Sequence, residues 1–249
     1  KFCQTDICLS MIKFLTLNIL KFFDLYYQLK LFKFLKKKGY NKFDTFFDVG
    51  AHRGETIILF SKNFSIKKIY SFEPVKTNFD RLKKKLAKFK KEKPEIMVIA
   101  ENIALGDENK KITIKEFSES SSSTINDINF ESKYFKRKSF LVYKGSRIFK
   151  ENHIDQLKLV DYMKNKKIFK IDFLKIDTEG FEMKVLAGLE HQLEKISIIM
   201  FEHHYDNMLI KNYKFGDIHE LLKKNNFNQL YKYKMPFRKT FEYVYVKKS

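Results

Sequence analysis

Residues 171–188 run IDFLKIDTEGFEMKVLAG. The apolar run over 171–176, stopped by charges and a glycine, has the length of a buried strand, and Phe181, Val185, Leu186 and Leu189 then recur at helical spacing. Asp177, Glu179 and Glu182 therefore stand at a strand-to-helix turn. In open α/β sheets ligands bind in the crevice beyond the carboxyl ends of the strands, so carboxylates clustered there are placed for chemistry. They are also placed for capping: Asp177, Thr178 and Glu179 suit the first turn of a helix, whose free N–H groups and dipole accept negative partners. This stretch alone leaves both readings open.

Outward from it the chain alternates. Strands are expected at 45–49, 68–72, 96–100 and 196–201, helices at 55–62, 78–91 and 217–225, and two strands close the chain. Strands alternating with helices predict an α/β fold with a doubly wound, mostly parallel sheet. Residues 111–117 read as an antiparallel excursion. The Ser-rich SESSSSTI that follows opens a segment, to residue 150, read as a connector in preference to a substrate lid. Residues 11–38 interleave Phe, Leu, Ile and Tyr with Lys, the pattern of one or two basic amphipathic helices, for which packing on the core is expected over lying on a membrane surface. The expected division is an N-terminal helical extension, 1–40, followed by one domain, 41–249.

Composition narrows the function. With 249 residues, 44% hydrophobic content and 27 Phe, the chain can fill the core of one large domain. Its formal charge of +20 would suit nucleic acid, but Arg occurs only at 53, 81, 137, 147 and 238, and phosphate and base readers lean on Arg for its bidentate fork. Nucleic acid is therefore not the expected partner. Cys3 and Cys8 offer neither a disulfide framework nor a Cys-rich zinc site, which fits a reducing compartment. Lys13, Lys21, Asp24, Lys30 and Lys33 interrupt the apolar N-terminal region, so neither a membrane span nor a secretory signal is expected. A cytoplasmic location follows, with peripheral contact at the inner face of a membrane left to the basic helix. The chain begins without Met, as a fragment or with Met11 as its natural start.

The first strand ends in FFDVGAHRGET, residues 46–56. A dinucleotide fingerprint needs Gly at 50, 52 and 55, but His52 and Glu55 hold the last two positions. What remains is Asp48, Gly50, His52 and Gly54. Two glycines let the backbone turn sharply against a ligand, and an acid just before them suits a ligand that carries a cation, such as an ammonium beside a sulfonium. The second strand ends in SFEP, with Glu73 about 20 residues after the turn, where a carboxylate accepts ribose hydroxyls. Taken together, these positions describe a site for a nucleoside joined to an amino acid, which points to S-adenosyl-L-methionine.

DVGAHRGET, YSFEP, ENIALGD, the Ser-rich STI segment and KIDTEGFEMKVLAG, in this order, resemble the FkbM-type family of S-adenosylmethionine-dependent methyltransferases over about residues 43–204. The resemblance implies the class I methyltransferase fold, Rossmann-like, with seven strands of which the last is antiparallel. It also implies methylation of hydroxyls on sugars or natural products. On this sequence it puts the methionine portion of the cofactor on Asp48 and the turn Gly50, Ala51, His52 and Gly54, the ribose on Glu73, and the adenine edge on Asn102 and Ala104. Position 52 is more usually Asn in such turns than His.

Methyl transfer to a hydroxyl is an in-line displacement that also needs a group to accept the proton. Asp177 and Glu179 at the acidic turn are candidates, and the fifth strand ends in MFEHH, which adds Glu202, His203 and His204. His203 is the imidazole offered as base, with an ordinary pKa near 6.5. Carboxylates and imidazole also suit a divalent cation, so a metal stays open without assigned ligands. The acceptor expected is a saccharide or another hydroxyl-bearing molecule, with lipid-linked sugar, polyketide and peptide open beside it. Two rivals are a nucleic-acid methyltransferase and a non-catalytic membrane-surface module. The first would carry Asn or Asp, Pro, Pro and an aromatic where this chain has DTEG, and acids there make poor neighbours for phosphates.

Overall fold

Four stretches bury nearly every residue of their C-terminal halves, which only a strand covered on both faces does. They form the centre of the sheet. The computed structural model describes residues 2–117, 123–142 and 149–248. In chain order its elements are α1 (Phe2–Lys37), β1 (Lys42–Val49), α2 (Glu55–Asn63), β2 (Ser65–Phe72), α3 (Lys76–Glu92), β3 (Met97–Glu101), β4 (Ala104–Gly106), β5 (Lys110–Phe117), β6 (Asp127–Ile128), α4 (Lys133–Val142), β7 (Phe149–Lys158), α5 (Leu159–Asn165), β8 (Ile171–Ile176), α6 (Glu182–Ala187), β9 (Ile196–His204), β10 (Leu209–Ile210), α7 (Phe215–Lys224), β11 (Phe227–Lys234) and β12 (Thr240–Lys247).

The main sheet has seven strands in the order β11-β12-β9-β8-β1-β2-β3. From β3 to β9 all neighbours are parallel, whereas β12 runs antiparallel to both β9 and β11. One core layer sets Leu31, Phe32, Leu82 and Phe89 of α1 and α3 against one face. The other sets Tyr162, Leu186 and Leu222 of α5, α6 and α7 against the opposite face. The chain leaves β1 for β2 on one side and returns to β8 on the other, so the switch point that opens a crevice lies between the carboxyl ends of β1 and β8.

Helix α1 is one continuous helix of 36 residues. On its inner face Leu31, Phe32 and Leu35 are buried. The Phe32 ring meets Phe60 at 4.7 Å and Phe64 at 5.1 Å. Tyr27 stacks on Tyr233 at 5.5 Å, and Arg238 donates to Asp24 at 2.7 Å, which ties α1 to the β11–β12 hairpin. Among the described residues no helix is long and apolar enough to cross a membrane.

The segment read as a connector is largely built. The excursion at β5 pairs antiparallel with β7, a strand the sequence did not announce, and β4 joins β7 on its other edge to make a second, three-stranded sheet. Thr124 bridges to Lys115, β6 pairs with β10, and α4 buries Phe135 against Met208 and Leu209. Connector residues 118–122 and 143–148 lie outside the described residues. Local periodicity misses this region because β7 alternates only weakly and its partner lies 40 positions away, as Thr113 opposite His153 shows.

Candidate active site

At the end of β1 the chain turns through Gly50 at φ +83°. A Cβ there would lie 1.8 Å from the carbonyl oxygen of Asp177, so the glycine is what lets the ends of β1 and β8 touch. The contact is fixed by Asp177 N–H, which donates to Val49 O at 2.9 Å, and by the N–H groups of Gly50 and Ala51, which both donate to Phe72 O at 3.0 Å. Gly54, at φ +80°, closes the turn by donating to Ala51 O at 2.8 Å. Asp48 stands elsewhere than the sequence suggested: its carboxylate is fully buried behind the turn, 3.9 Å from the Lys175 ammonium. Burial pushes its carboxyl up to about 6.

Glu73, at the end of β2, bridges backbone to backbone. Its Oε2 accepts from His52 N–H at 2.7 Å and its Oε1 from Val75 N–H at 2.9 Å. Burial nevertheless pushes the carboxyl up to about 8. Asn102 donates to the carbonyls of Glu73 and Pro74, at 2.8 and 3.0 Å, so it clamps the turn that carries Glu73. Ala104, in β4, is buried between Ile103 and Leu105 along the same wall.

The turn after β8 separates the three acids. Glu182, fully buried, accepts from Thr178 N–H, Thr178 Oγ1 and Gly180 N–H at 3.3, 3.1 and 2.9 Å, and from the Tyr213 hydroxyl. Holding the turn falls to Glu182, and Asp177 and Glu179 point elsewhere. Asp177 accepts from Lys175 at 2.9 Å; burial works against its charge, and the Lys175 ammonium more than offsets this and holds the carboxyl below its ordinary value. Lys175 is itself 3% exposed, and Asp177 and Asp48 keep it protonated although burial disfavours its charge. A charge inside an otherwise apolar strand was its only signal in the sequence. Glu179 takes φ +51°, and its carbonyl accepts from Thr124 Oγ1 at 2.8 Å and Asn126 Nδ2 at 3.3 Å.

Side chains alternate across a strand, so adjacent His203 and His204 face opposite ways. His204 faces Glu179. Its Nε2 lies 3.4 Å from Glu179 Oε2 and 3.2 Å from Glu202 Oε1, and its Nδ1 lies 3.6 Å from Asp206 Oδ2. Burial works against its charge, yet Glu179, Asp206 and Glu202 hold the imidazolium well above the usual range. His203, the imidazole the sequence offered, turns away into an aromatic nest of Tyr205, Tyr213 and Phe215. Burial there, with the Lys211 charge beside it, pushes it down to about 3, so it stays neutral. Among the described residues no three His, Cys, Asp or Glu side chains are arranged to hold a metal ion.

Three of these shifts share one sign and outweigh the opposite one of His203. Glu73 and Glu242 are both pushed up to about 8 by burial, and His204 is raised as well. A group that binds its proton more tightly when folded contributes stability below its unfolded pKa and loses it as pH rises through the folded value. Stability should therefore fall from about pH 5 to about pH 8.5. A tenfold change in proton affinity is worth about 1.4 kcal/mol. Glu242→Gln, which keeps the shape beside Tyr233 without the charge, is expected to stabilise the fold by about 1–3 kcal/mol near pH 8.5 and to change little near pH 5. Urea unfolding at the two pH values measures this, and equal effects at both would contradict it.

A single cavity of about 940 Å³ joins the strand ends. Gly50, Glu73 and Ala104 line one part of it; Glu179, Glu202 and His204 line another, with Asp177 and Lys175 also in the wall. His203, Asp48, Gly54 and Asn102 are not in its lining, the last two acting through the turns they hold. A seven-stranded sheet with one antiparallel strand inserted at β12, and its crevice at the β1/β8 switch, is the class I methyltransferase fold. The chain matches the methyltransferase FkbM domain model over residues 48–229 and belongs to that family, whose methyl donor is S-adenosylmethionine.

No curated protein matches the chain significantly. Among solved structures, magnesium protoporphyrin IX methyltransferase from Synechocystis PCC 6803 with bound S-adenosylmethionine superposes with a TM-score of 0.50 at 9% identity, covering 93% of this chain and 81% of that one. Methyltransferase FkbM from Methylobacillus flagellatus KT gives 0.49 at 13% identity, covering 82% and 44%. TrmK from M. capricolum with S-adenosyl-homocysteine gives 0.47 at 14%, covering 84% and 64%. This chain thus spans less than half the length of the Methylobacillus protein.

Proposed function

We propose that the protein is an S-adenosylmethionine-dependent O-methyltransferase acting on a hydroxyl of a saccharide or related glycan. The observation that carries this is the continuity of one cavity from the glycine turn and Glu73 to the Glu179–His204 pair. The residues present fit the cofactor. Gly50 lets the ends of β1 and β8 meet at the cavity wall, Glu73 presents a carboxyl group there, and Ile103, Ala104 and Leu105 give an apolar wall for a flat base. Asp177, half-buried and paired with Lys175, offers the carboxylate for an ammonium group that buried Asp48 does not. Asp48 acts behind the wall, holding Lys175 and through it Asp177.

When bound, S-adenosylmethionine supplies an electrophilic methyl on a sulfonium. The chain supplies the rest. Glu179 takes the hydroxyl proton of the acceptor, and His204, kept charged by three carboxylates, fixes the orientation of Glu179. Glu202 in the same cavity suits the hydroxyls of a sugar.

Two measurements test this. Transfer of labelled methyl to fractionated glycans, with a mass gain of one CH₂ per product, is expected; label appearing in RNA and in no glycan would overturn the acceptor class. Glu73→Ala should weaken S-adenosylmethionine by about 1.5–3 kcal/mol near pH 9, where the carboxyl is ionised, the usual loss for hydrogen bonds to a charged group. Calorimetry finding unchanged affinity in the folded variant would remove Glu73 from the site.

A further inference from the structure

The outer face of α1 is apolar, and among the described residues nothing covers it. Leu15, Ile19, Phe22, Tyr26 and Leu29 recur at steps of four and three residues, which puts them on one face, and they are 38–66% exposed. This face lies opposite the one through which Leu31 and Leu35 dock on the core. The stripe does not stop at the helix. Phe22 meets Phe23 at 5.8 Å, Phe23 meets Phe237 at 5.7 Å, and Phe237, in the β11–β12 turn, is 78% exposed. Ile19 and Phe237 also line the cavity, so the apolar surface runs to its mouth. At the other end the same spacing continues from Leu29 into Lys33 and Lys36, with Lys30 and Lys37 beside them, all exposed.

We propose that this outer face rests on an anionic lipid surface. The charge pattern selects the occupant. A helix with apolar residues on one side and lysines flanking them lies in the interface, its rings at the acyl boundary and its ammonium groups among the phosphates. Pairing with a second copy through the same seam would carry Lys33 and Lys36 into the contact, where an ammonium without a partner is costly to bury. The formal charge of +20 adds long-range attraction to anionic headgroups. The inner face stays on the core throughout, so binding needs no unfolding of α1. The inference stands apart from the methyl-transfer reading, because it rests on the outside of α1 alone.

The full chain is tested by cosedimentation with vesicles of phosphatidylcholine and phosphatidylglycerol, with pure phosphatidylcholine vesicles as reference. Wild type is expected to bind the anionic vesicles at least about tenfold more tightly, with the preference falling as salt rises. The triple variant Phe22→Ser, Tyr26→Ser, Leu29→Ser should lose about tenfold or more of this binding while its melting temperature stays put, since these side chains are solvent-exposed. Lys30→Glu, Lys33→Glu, Lys36→Glu should abolish the preference for anionic lipid. Wild type failing to bind, or the serine variant binding equally well, would overturn the proposal. So would light scattering that shows a wild-type dimer split by the serine variant, which would assign the face to a second copy.

Discussion

Gly50→Ala is expected to unfold the strand ends that make the cavity, lowering stability by about 4 kcal/mol or more and removing S-adenosylmethionine binding. Two separate penalties meet at this position. The backbone sits at φ +83°, which an L side chain adopts at a loss of about 1–2 kcal/mol. The added Cβ would also lie 1.8 Å from Asp177 O and 2.8 Å from its carbonyl carbon, both backbone atoms of the neighbouring strand end. Relief means separating β1 from β8, which breaks the Asp177 N–H to Val49 O bond and shifts Lys175 and Asp177 together. Other glycines calibrate the effect. At Gly54, also with positive φ, the new methyl meets side-chain atoms instead of backbone, the nearest being Leu82 Cδ1 at 2.7 Å. At Gly39 it meets nothing within 4 Å, so φ +91° is the sole penalty. Chemical denaturation of the three alanine variants should rank the losses Gly50 > Gly54 > Gly39, and a Gly50→Ala protein as stable as Gly39→Ala would refute the close-approach argument.

That close approach was half legible in the sequence. The two glycines, the acid before them and Glu73 at the next strand end carried enough local chemistry to mark the cofactor turn, and the alternation of apolar runs with helical periods carried the parallel sheet. The partner that Gly50 must accommodate was not legible, because β1 and β8 are more than 100 residues apart and only the fold sets them side by side. The histidines fail to reveal their roles for a different reason. Adjacent positions on a strand face opposite sides, and nothing in EHHYD fixes which imidazole turns toward the ligand until the register of β9 between β8 and β12 is known. Lys175 was hidden by its place in an apolar run, where its partners Asp48 and Asp177 come from two different strand ends. Likewise, the acids of DTEGFE look interchangeable in the sequence. Burial distinguishes them: Glu182 is sealed under four donors, whereas Asp177 and Glu179 remain at the cavity wall.

The same distinction yields the expected result for Glu179→Gln: a fall in kcat of about 10²–10⁴ with S-adenosylmethionine affinity nearly unchanged, because a general base acts mainly in the transition state. The substitution preserves size and leaves the carbonyl bonds from Thr124 and Asn126 in place, so the turn should hold. What it removes is the proton acceptor 3.4 Å from His204. The pH profile separates this assignment from an imidazole base. A neutral histidine as base would make the rate climb through roughly pH 6–7 as it loses its proton. Here His204 is held protonated well above that range and His203, pushed down to about 3, is neutral and turned away from the cavity. Neither titrates there, so the rate should be flat across that interval and should decline only on the alkaline side, as the imidazolium that orients Glu179 is lost. His203→Phe, which suits the aromatic nest of Tyr205, Tyr213 and Phe215, should keep kcat within a few-fold. Glu179→Gln retaining wild-type turnover, or a rate that rises tenfold per pH unit up to about pH 6.5, would move the base from the carboxylate to an imidazole.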